Sequence, residues 1–545
     1  MEAKSNILKK EDLSCLLNPE TLAGFNPLKE ETNTRLILKG RWDNSSEPLV
    51  IKIFKRPYFF DQVKYLFRPP RSRKEWQIAQ KLSAMGIATP LPVAYVALRS
   101  WRFLRKDIIV FREISDGEPL IHWTESNIIK KAIPFTERKE VIRTLGHFVR
   151  RIHDQGIFSK DFHQGNILVK TEPAKPPLFY LVDLHSIQIK KEITRRERIK
   201  MLAQFNNFRI PIADRLRFLN AYLQGEEQEE ILKKALVKEI GLASFKHWQR
   251  LWQKRKKRAL RPGKGLKAFE VGPWKGMIRK EEKYYLKNIF PLLYRRSANM
   301  KVTDDVVEEV SLQQEKANDL VIRYYCRNSL LSSLRSFFQI SPAKKTWITM
   351  HNLIMRGIPT LVPVAFGERK RWGILRDCFF VFKKTLEATS GAIFLKKLFE
   401  APLSTPAKAG IQNQSKLLDS HLRGSDKLGI IRSALIFQFA RLIQRMHQTG
   451  ICYPTLKPTD VSITFDHKEV LLQVMNGDGI TIKKNVGIND VAKDLRNIDL
   501  SFFNVLEQKD QSFFFKIYAW GNTFFKDHGE KIRDKMQKLS AKRSA

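Results

Sequence analysis

Lys160-Asp161-Phe162-His163-Gln164-Gly165-Asn166-Ile167-Leu168, followed past a proline-rich turn by Tyr180-Leu181-Val182-Asp183-Leu184-His185, is the stretch on which the fold reading rests. The apolar segments NILVK and LFYLVDLHSIQI read as short strands flanking a turn, since each is brief, β-rich and bounded by turn residues. An Asp-x4-Asn-Ile-Leu run, a hairpin and an apolar strand ending in Asp then bring two carboxylates and one amide to the mouth of a cleft. Asp161, Asn166 and Asp183 are those three groups.

Upstream, KEVIRTLGHFVRRIHDQG (139–156) carries the apolar spacing of an amphipathic helix. Before it come alternating, β-branched segments, TNTRLILKG, PLVIKIF, LPVAYVAL and DIIVFREI, with one helical stretch, RKEWQIAQKLSAMG, set among them. This order predicts an α+β plan, a small β-rich lobe with one helix joined to a larger α-rich lobe. Lys52 lies mid-strand in VIKIF, so its ammonium either reaches solvent at a sheet edge or meets an anion in a cleft, because an unpaired buried charge is costly. Glu75, at the start of the helical stretch, can supply that anion.

The chain contains this plan twice. EWQIAQKLSAMGIATPLPVAY (75–95) lies over TWITMHNLIMRGIPTLVPVAF (346–366), and PLVIKIF (48–54) over DLVIRYY (319–325), at a constant spacing that puts Lys52 on Arg323. LGHFVRRIHDQGIFSKDF (145–162) then matches FARLIQRMHQTGICYPTL (439–456) at a longer spacing, which predicts an insertion near 402–427, where the sequence loses its period. The expected domains are 20–254 and 269–545, joined by a basic linker, 255–268, with Arg-Pro-Gly and Gly-x-Gly punctuation. Trp76/Trp347, Gly86/Gly357, Trp101/Trp372, His153/His447 and Gly156/Gly450 are kept in both copies and read as packing positions. The second copy changes the chemical ones: Lys52 to Arg323, Glu75 to Thr346, Asp161 to Thr455, Asn166 to Asp460 and Asp183 to Asn476.

With 545 residues, one core is too few, and 43% hydrophobic content with 36 phenylalanines excludes a disordered chain. Four cysteines, Cys15, Cys326, Cys378 and Cys452, form no Cys-x-x-Cys pair, which argues against a disulfide framework or cysteine-built zinc site and for a reducing cytoplasm. The start lacks the apolar core of a signal peptide and no run of about 18 uncharged apolar residues occurs, so membrane contact is expected to be peripheral. A net charge of +42 favours polyanionic partners: anionic lipid, nucleic acid or a phosphorylated substrate. Lys246–Lys267 holds ten Lys/Arg and no acid; it reads either as a solvated helix running into the linker, or as a membrane anchor with Phe245, Trp248 and Trp252 on one face. No recurrent nucleic-acid motif appears, so no specific nucleic-acid partner is expected.

Strand lysine, helix glutamate, Asp-x4-Asn and strand-end Asp, in this order, resemble the protein-kinase-like fold. That resemblance implies two tandem bilobal domains, the second a pseudokinase, with ATP and Mg²⁺ as cofactors of the first. Lys52, oriented by Glu75, would clamp the ATP phosphates; Asn166 and Asp183 would ligate magnesium; Asp161 would serve the acceptor hydroxyl as base or orienting group. Only Gly40 stands where such folds carry a glycine-rich phosphate loop. Asp-Phe-His-Gln-Gly-Asn is similar to the loop of small-alcohol kinases. The order REW…GI-x-TP-x-PVA, RIH-x-x-G, KD-x4-NILV, LVDL and ADRLRFLNAYL resembles the lipopolysaccharide kinase (Kdo/WaaP) family over about residues 30–225. The resemblance implies phosphorylation of a Kdo or heptose of the lipopolysaccharide core, or a similar anionic glycolipid, at the cytoplasmic face of the inner membrane. A protein Ser/Thr kinase is the alternative, since Tyr453-Pro-Thr455-Leu-Lys457-Pro-Thr-Asp460 echoes a protein-kinase loop. A non-catalytic scaffold binding anionic lipid or nucleic acid is the second; oligomeric state is not legible.

Overall fold

The structure is a computed structural model that describes the chain outside residues 1, 6–12, 14, 15, 19–21, 23, 30–34, 43–46, 56–64, 66, 67, 101, 102, 130, 131, 208, 226–228, 264, 286–288, 292–305, 313–318, 327–339, 385–388, 400–424, 467, 468, 503–506, 521 and 545. The chain divides into two compact units of mixed helix and sheet, Met1–Trp248 and Gln249–Ala545.

In the first unit, strands β1 (Glu2–Ser5), β2 (Asn26–Lys29), β3 (Arg35–Arg41), β4 (Pro48–Phe54), β5 (Pro92–Ser100) and β6 (Phe103–Arg112) form an antiparallel sheet in the order β1-β5-β6-β4-β3-β2. β4 is therefore interior, which removes the edge-lysine reading of Lys52. Strand alternation sends Ile51 and Ile53 to one face of the sheet, with Val96, Ile108 and Val110. It sends Phe54 to the other, with Ile109, Phe111 and Trp76, so Lys52 shares the face covered by helix α1 (Arg71–Ala84). Trp76 is 2% exposed; burying a side chain of that size contributes about 2–3 kcal/mol. Pro70, the residue before α1, supplies no side-chain cap. Asp107 of β6 does so from across the sheet, accepting from the Arg71 and Ser72 amides at 3.0 and 3.2 Å.

The remainder of this unit is mainly helical: α2 (Phe135–Asp154), α3 (Arg195–Phe205), α4 (Ile212–Leu223) and the part of α5 (Glu229–Arg258) up to Trp248. Between α2 and α3 lie short strands β8 (Ile157–Ser159), β9 (Ile167–Lys170), β10 (Leu178–Leu181) and β11 (Ile187–Ile189), with β9 also pairing to β7 (Glu118–Pro119). Gly86 and Gly156 follow α1 and α2 with φ of 67° and 70°, the left-handed conformation that lets a helix stop abruptly.

The second unit has its own antiparallel sheet. β12 (Leu266–Val271), β13 (Trp274–Arg279), β14 (Val306–Leu312), β15 (Asp319–Cys326), β16 (Val362–Arg371) and β17 (Ile374–Lys384) lie in the order β12-β13-β16-β17-β15-β14. Helix α6 (Pro342–Met355) is capped by Ser341, whose hydroxyl accepts from the Lys344 amide at 3.2 Å. α7 (Ser425–Gln448), the hairpin of β18 (Val461–Asp466) and β19 (Glu469–Val474), and α8 (Ile488–Phe502), α9 (Gln508–Ala519) and α10 (Thr523–Ser544) follow. The insertion expected near 402–427 lies outside the described residues up to 424.

Three expectations are corrected. The aromatic face of Phe245, Trp248 and Trp252 is no free membrane anchor: Trp252 is 2% exposed with its indole N–H donating to Met355 O at 3.1 Å, and Trp248 donates to Asn206 O at 2.8 Å. Those rings are used in packing, and the basic residues of α5 take the solvent side. The stretch 255–268 is not wholly a linker, because α5 runs to Arg258 and β12 begins at Leu266. Trp372 is no packing residue; it is 81% exposed in the β16–β17 turn, while its counterpart Trp101 lies outside the described residues. Among the described residues no helix is long and apolar enough to cross a membrane.

Candidate active site

Lys52 and Glu75 meet first. Lys52 Nζ lies 3.1 Å from Glu75 Oε2, over the Phe111 ring at 5.0 Å, with the glutamate fully buried. Two charges taken out of water hold only as a pair, so each fixes the other's position. Glu75 reaches Lys52 because α1 crosses the sheet face onto which alternation directs Lys52. Lys74, one residue earlier, ties the same helix to the strand-end turn, donating to His185 O at 2.6 Å.

Asp183 follows β10 in the left-handed region, φ 64° and ψ 57°, a conformation Asp tolerates better than most residues but that is rarely kept without a role. The backbone just before it is fixed by Leu181 N–H donating to Ala88 O at 3.0 Å, Thr89 Oγ1 donating to Leu181 O at 2.9 Å, and Val182 N–H donating to Asn166 O at 3.0 Å. Its two carboxylate oxygens are both engaged: Oδ1 lies 2.6 Å from His185 Nδ1, and Oδ2 accepts from Arg35 Nη1 at 2.7 Å. Burial alone would raise the Asp183 pKa. The His185 hydrogen bond and the charges of Lys52, His185 and Arg35 reverse that, holding the carboxyl well below the usual carboxylate range.

Asp161 and Asn166 stand on the loop between β8 and β9. Asn166 Nδ2 donates to Asp161 O at 2.9 Å, and the Gly165 amide donates to His163 Nδ1 at 3.0 Å. Gln204 of α3 clamps the loop from outside, accepting from Phe162 N at 2.8 Å and donating to Lys160 O at 3.1 Å. The Asp161 carboxylate is the open member of the group, its side chain 62% exposed and 3.6 Å from His163 Nε2. Its pKa is lowered by that histidine, against the effect of partial burial.

The structure thus brings the five residues named from the sequence to one cleft: Asp161, Asn166 and Asp183 line one small cavity, and Glu75 with Lys52 closes on Asp183 through His185. Ligand atoms of Glu75, Asp183 and His185 lie within 4.8 Å of one another, and Glu75 Oε1 is buried without a hydrogen-bond partner. That oxygen, 3.7 Å from His185 Nδ1 and close to the Asp183 carboxylate, belongs to a donor group that fits a small divalent cation. Gly40 has no part here: a Cβ on it would come within 2.5 Å of the Phe25 ring, so its smallness serves packing inside β3. His153, a tempting proton carrier, is buried; its Nδ1 meets Tyr222 OH at 2.8 Å, and burial pushes its pKa down to about 3. It is a packing residue.

Arg35, His185, Lys74, Gln204 and Asp107 were not singled out by sequence reasoning. Arg35 is 148 residues from its partner Asp183, and no local pattern signals a contact of that span. His185, two residues after Asp183, and Lys74, one before Glu75, lie within reach of a local motif.

A cation paired to a buried acid beside an acid–amide–acid trio can bind phosphate oxygens and a divalent cation side by side. In agreement, residues 34–222 match the model of the lipopolysaccharide kinase (Kdo/WaaP) family. Over 181 residues the chain is 26% identical to lipopolysaccharide core heptose(I) kinase WaaP of Pseudomonas aeruginosa, a match covering 32% of this chain and 65% of that protein. A solved structure, WaaP in complex with acyl carrier protein, is similar at 22% identity with a TM-score of 0.34, covering 45% of this chain and 99% of that one.

Proposed function

We propose that the chain is an ATP- and Mg²⁺-dependent kinase that phosphorylates a sugar of the lipopolysaccharide core, Kdo or heptose, with the first unit catalytic. The observation that carries this reading is the convergence of the Lys52–Glu75 pair with Asp183, Asn166 and Asp161 in one cleft. Lys52 binds phosphate oxygens as a compact cation, and Glu75 keeps it aimed there. Asn166 and Asp183 hold the metal, which when bound supplies charge neutralisation for the phosphates. Asp161 accepts a hydrogen bond from the acceptor hydroxyl and aligns it for in-line attack. Its lowered pKa suits an orienting carboxylate, and it takes the proton only as the hydroxyl becomes acidic in the transition state. The exposure of Asp161 supports a bulky acceptor.

In this reading the second unit is a tandem kinase-like copy without chemistry, a pseudokinase. Arg323 lies over Phe382 at 5.6 Å as Lys52 lies over Phe111, but Thr346 stands where its acid partner would be. The basic surface concentrates the enzyme on an anionic glycolipid and on the inner face of the inner membrane, where it acts as a peripheral protein.

The test is acceptor-resolved transfer from labelled ATP, offered purified core oligosaccharide or a generic protein mixture. Label on the oligosaccharide, dependent on Mg²⁺ and absent in Asp161→Asn, is the expected result. Label on protein alone would establish the Ser/Thr kinase reading instead, and no ATP- or Mg²⁺-dependent thermal shift would leave a scaffold.

A further inference from the structure

We propose that Arg35 is the nucleotide-phosphate ligand that replaces a glycine-rich loop in this chain, and that it rests on Asp183 until a polyphosphate draws it away. The inference builds on the proposed kinase reading and assigns a residue that the reading itself leaves out. Arg35 opens β3, opposite Phe54 and two residues from Ile37, which pairs with Lys52, so its guanidinium and the Lys52 ammonium enter the cleft from neighbouring strands. Its Nη1 is 2.7 Å from Asp183 Oδ2, with the arginine side chain 22% exposed and the aspartate 10%.

Three observations favour a ligand role over a structural clamp. First, Asp183 is the residue through which a divalent cation would enter, and a guanidinium on its Oδ2 repels that cation, so the contact in this structure competes with metal loading. Second, Gly40 of β3 is committed to Phe25 and takes no part in the cleft. A planar guanidinium fork is the side chain best matched to phosphate oxygens. Third, cation and carboxylate are both missing at the aligned positions of the second half. There the strand register places Val307 opposite Tyr325, the counterpart of Phe54, and Asn476 stands for Asp183. A purely structural clamp would have no reason to disappear with the catalytic set.

The test uses the full chain and two readouts that need no turnover. Mn²⁺ binding is measured without nucleotide by electron paramagnetic resonance, and ATP binding by calorimetry in Mg²⁺. Arg35→Gln is expected to bind nucleotide-free Mn²⁺ roughly tenfold more tightly than the wild type, because the competing charge is gone. It is expected to bind ATP roughly tenfold more weakly, because a charge-assisted contact is lost. Arg35→Lys, which keeps the charge but not the fork, should fall between in both and guards against a folding defect. Unchanged or weaker Mn²⁺ binding in Arg35→Gln, or unchanged ATP affinity, overturns the assignment. If the wild type binds no ATP at all, the kinase reading has failed; if it binds ATP and Arg35→Gln binds it equally, only Arg35 has.

Discussion

Two regions of the chain, one in each unit, pack in similar ways around different side chains. In the first unit Lys52 lies over Phe111 and bonds Glu75; in the second Arg323 lies over Phe382, and Thr346 takes the place of Glu75. Asp183 is held in left-handed backbone by Arg35 and His185, whereas Asn476 is not among the positive-φ residues and donates to Asp460 Oδ1 at 3.3 Å. The scaffolding pairs agree closely. His153 meets Tyr222 at 2.8 Å and His447 meets Tyr518 at 2.6 Å; Gly156 and Gly450 have φ of 70° and 84°. The left-handed backbone at Asp183 is not repeated at Asn476. Strain that serves only as a turn, as at the glycines, stays in both.

The largest effect expected from this contrast is on transfer. Asp161→Asn should lower the rate by at least about 10³-fold while ATP still binds, and Asp183→Asn should weaken Mg·ATP itself. Asp460→Ala should leave the rate within about twofold. Labelled transfer and nucleotide calorimetry read all three, and a dead Asp460→Ala enzyme would break the division of roles.

Stability should split the same way. Glu75→Gln leaves the Lys52 ammonium buried without a counter-charge and should cost about 3–5 kcal/mol in urea unfolding of the first unit. Thr346→Val should cost the second unit under about 1 kcal/mol, having no charge to strand. Equal losses would mean that the pair is no more than packing.

At the helix ends the units should behave alike. A Cβ at Gly156 would lie 2.0 Å from Lys190 O, and one at Gly450 2.4 Å from Lys483 O. Each Gly→Ala change should therefore cost about 1–3 kcal/mol, as strain at a left-handed position plus a backbone clash. A loss in only one unit would show that the shared turns are not equivalent.

The His153 effect is smaller and depends on pH. Its folded pKa, about 3, lies below the ordinary 6.5, so between those values the unfolded chain binds the extra proton. Stability should fall as pH drops from 6.5 toward 3, by at most about 1.4 kcal/mol per unit from this group. His153→Gln should flatten that slope, measured as urea midpoints from pH 7 to 4. Trp372→Ala should do least, within about 0.5 kcal/mol, because an 81% exposed ring has little packing to lose.

The sequence by itself predicted the strand–helix order of the first unit and named five residues that the structure brings to one cleft. These are local or periodic signals: alternation places Lys52, helical spacing places Glu75, and Asp-x4-Asn with a strand-end Asp are short-range motifs. Retention in both copies was a good guide to packing for Trp76 and Trp347, at 2% and 0% exposure, and failed for Trp372. Identity alone does not say which face of a turn a ring occupies. What only the tertiary structure decided is which distant groups complete each local motif. Asp107 caps α1 from a neighbouring strand, Gln204 clamps the Asp161 loop from a later helix, and Arg35 reaches Asp183 from β3, 148 residues away in the chain. Such partners are chosen by the packing of one element on another, and their distance along the chain carries no trace of the choice.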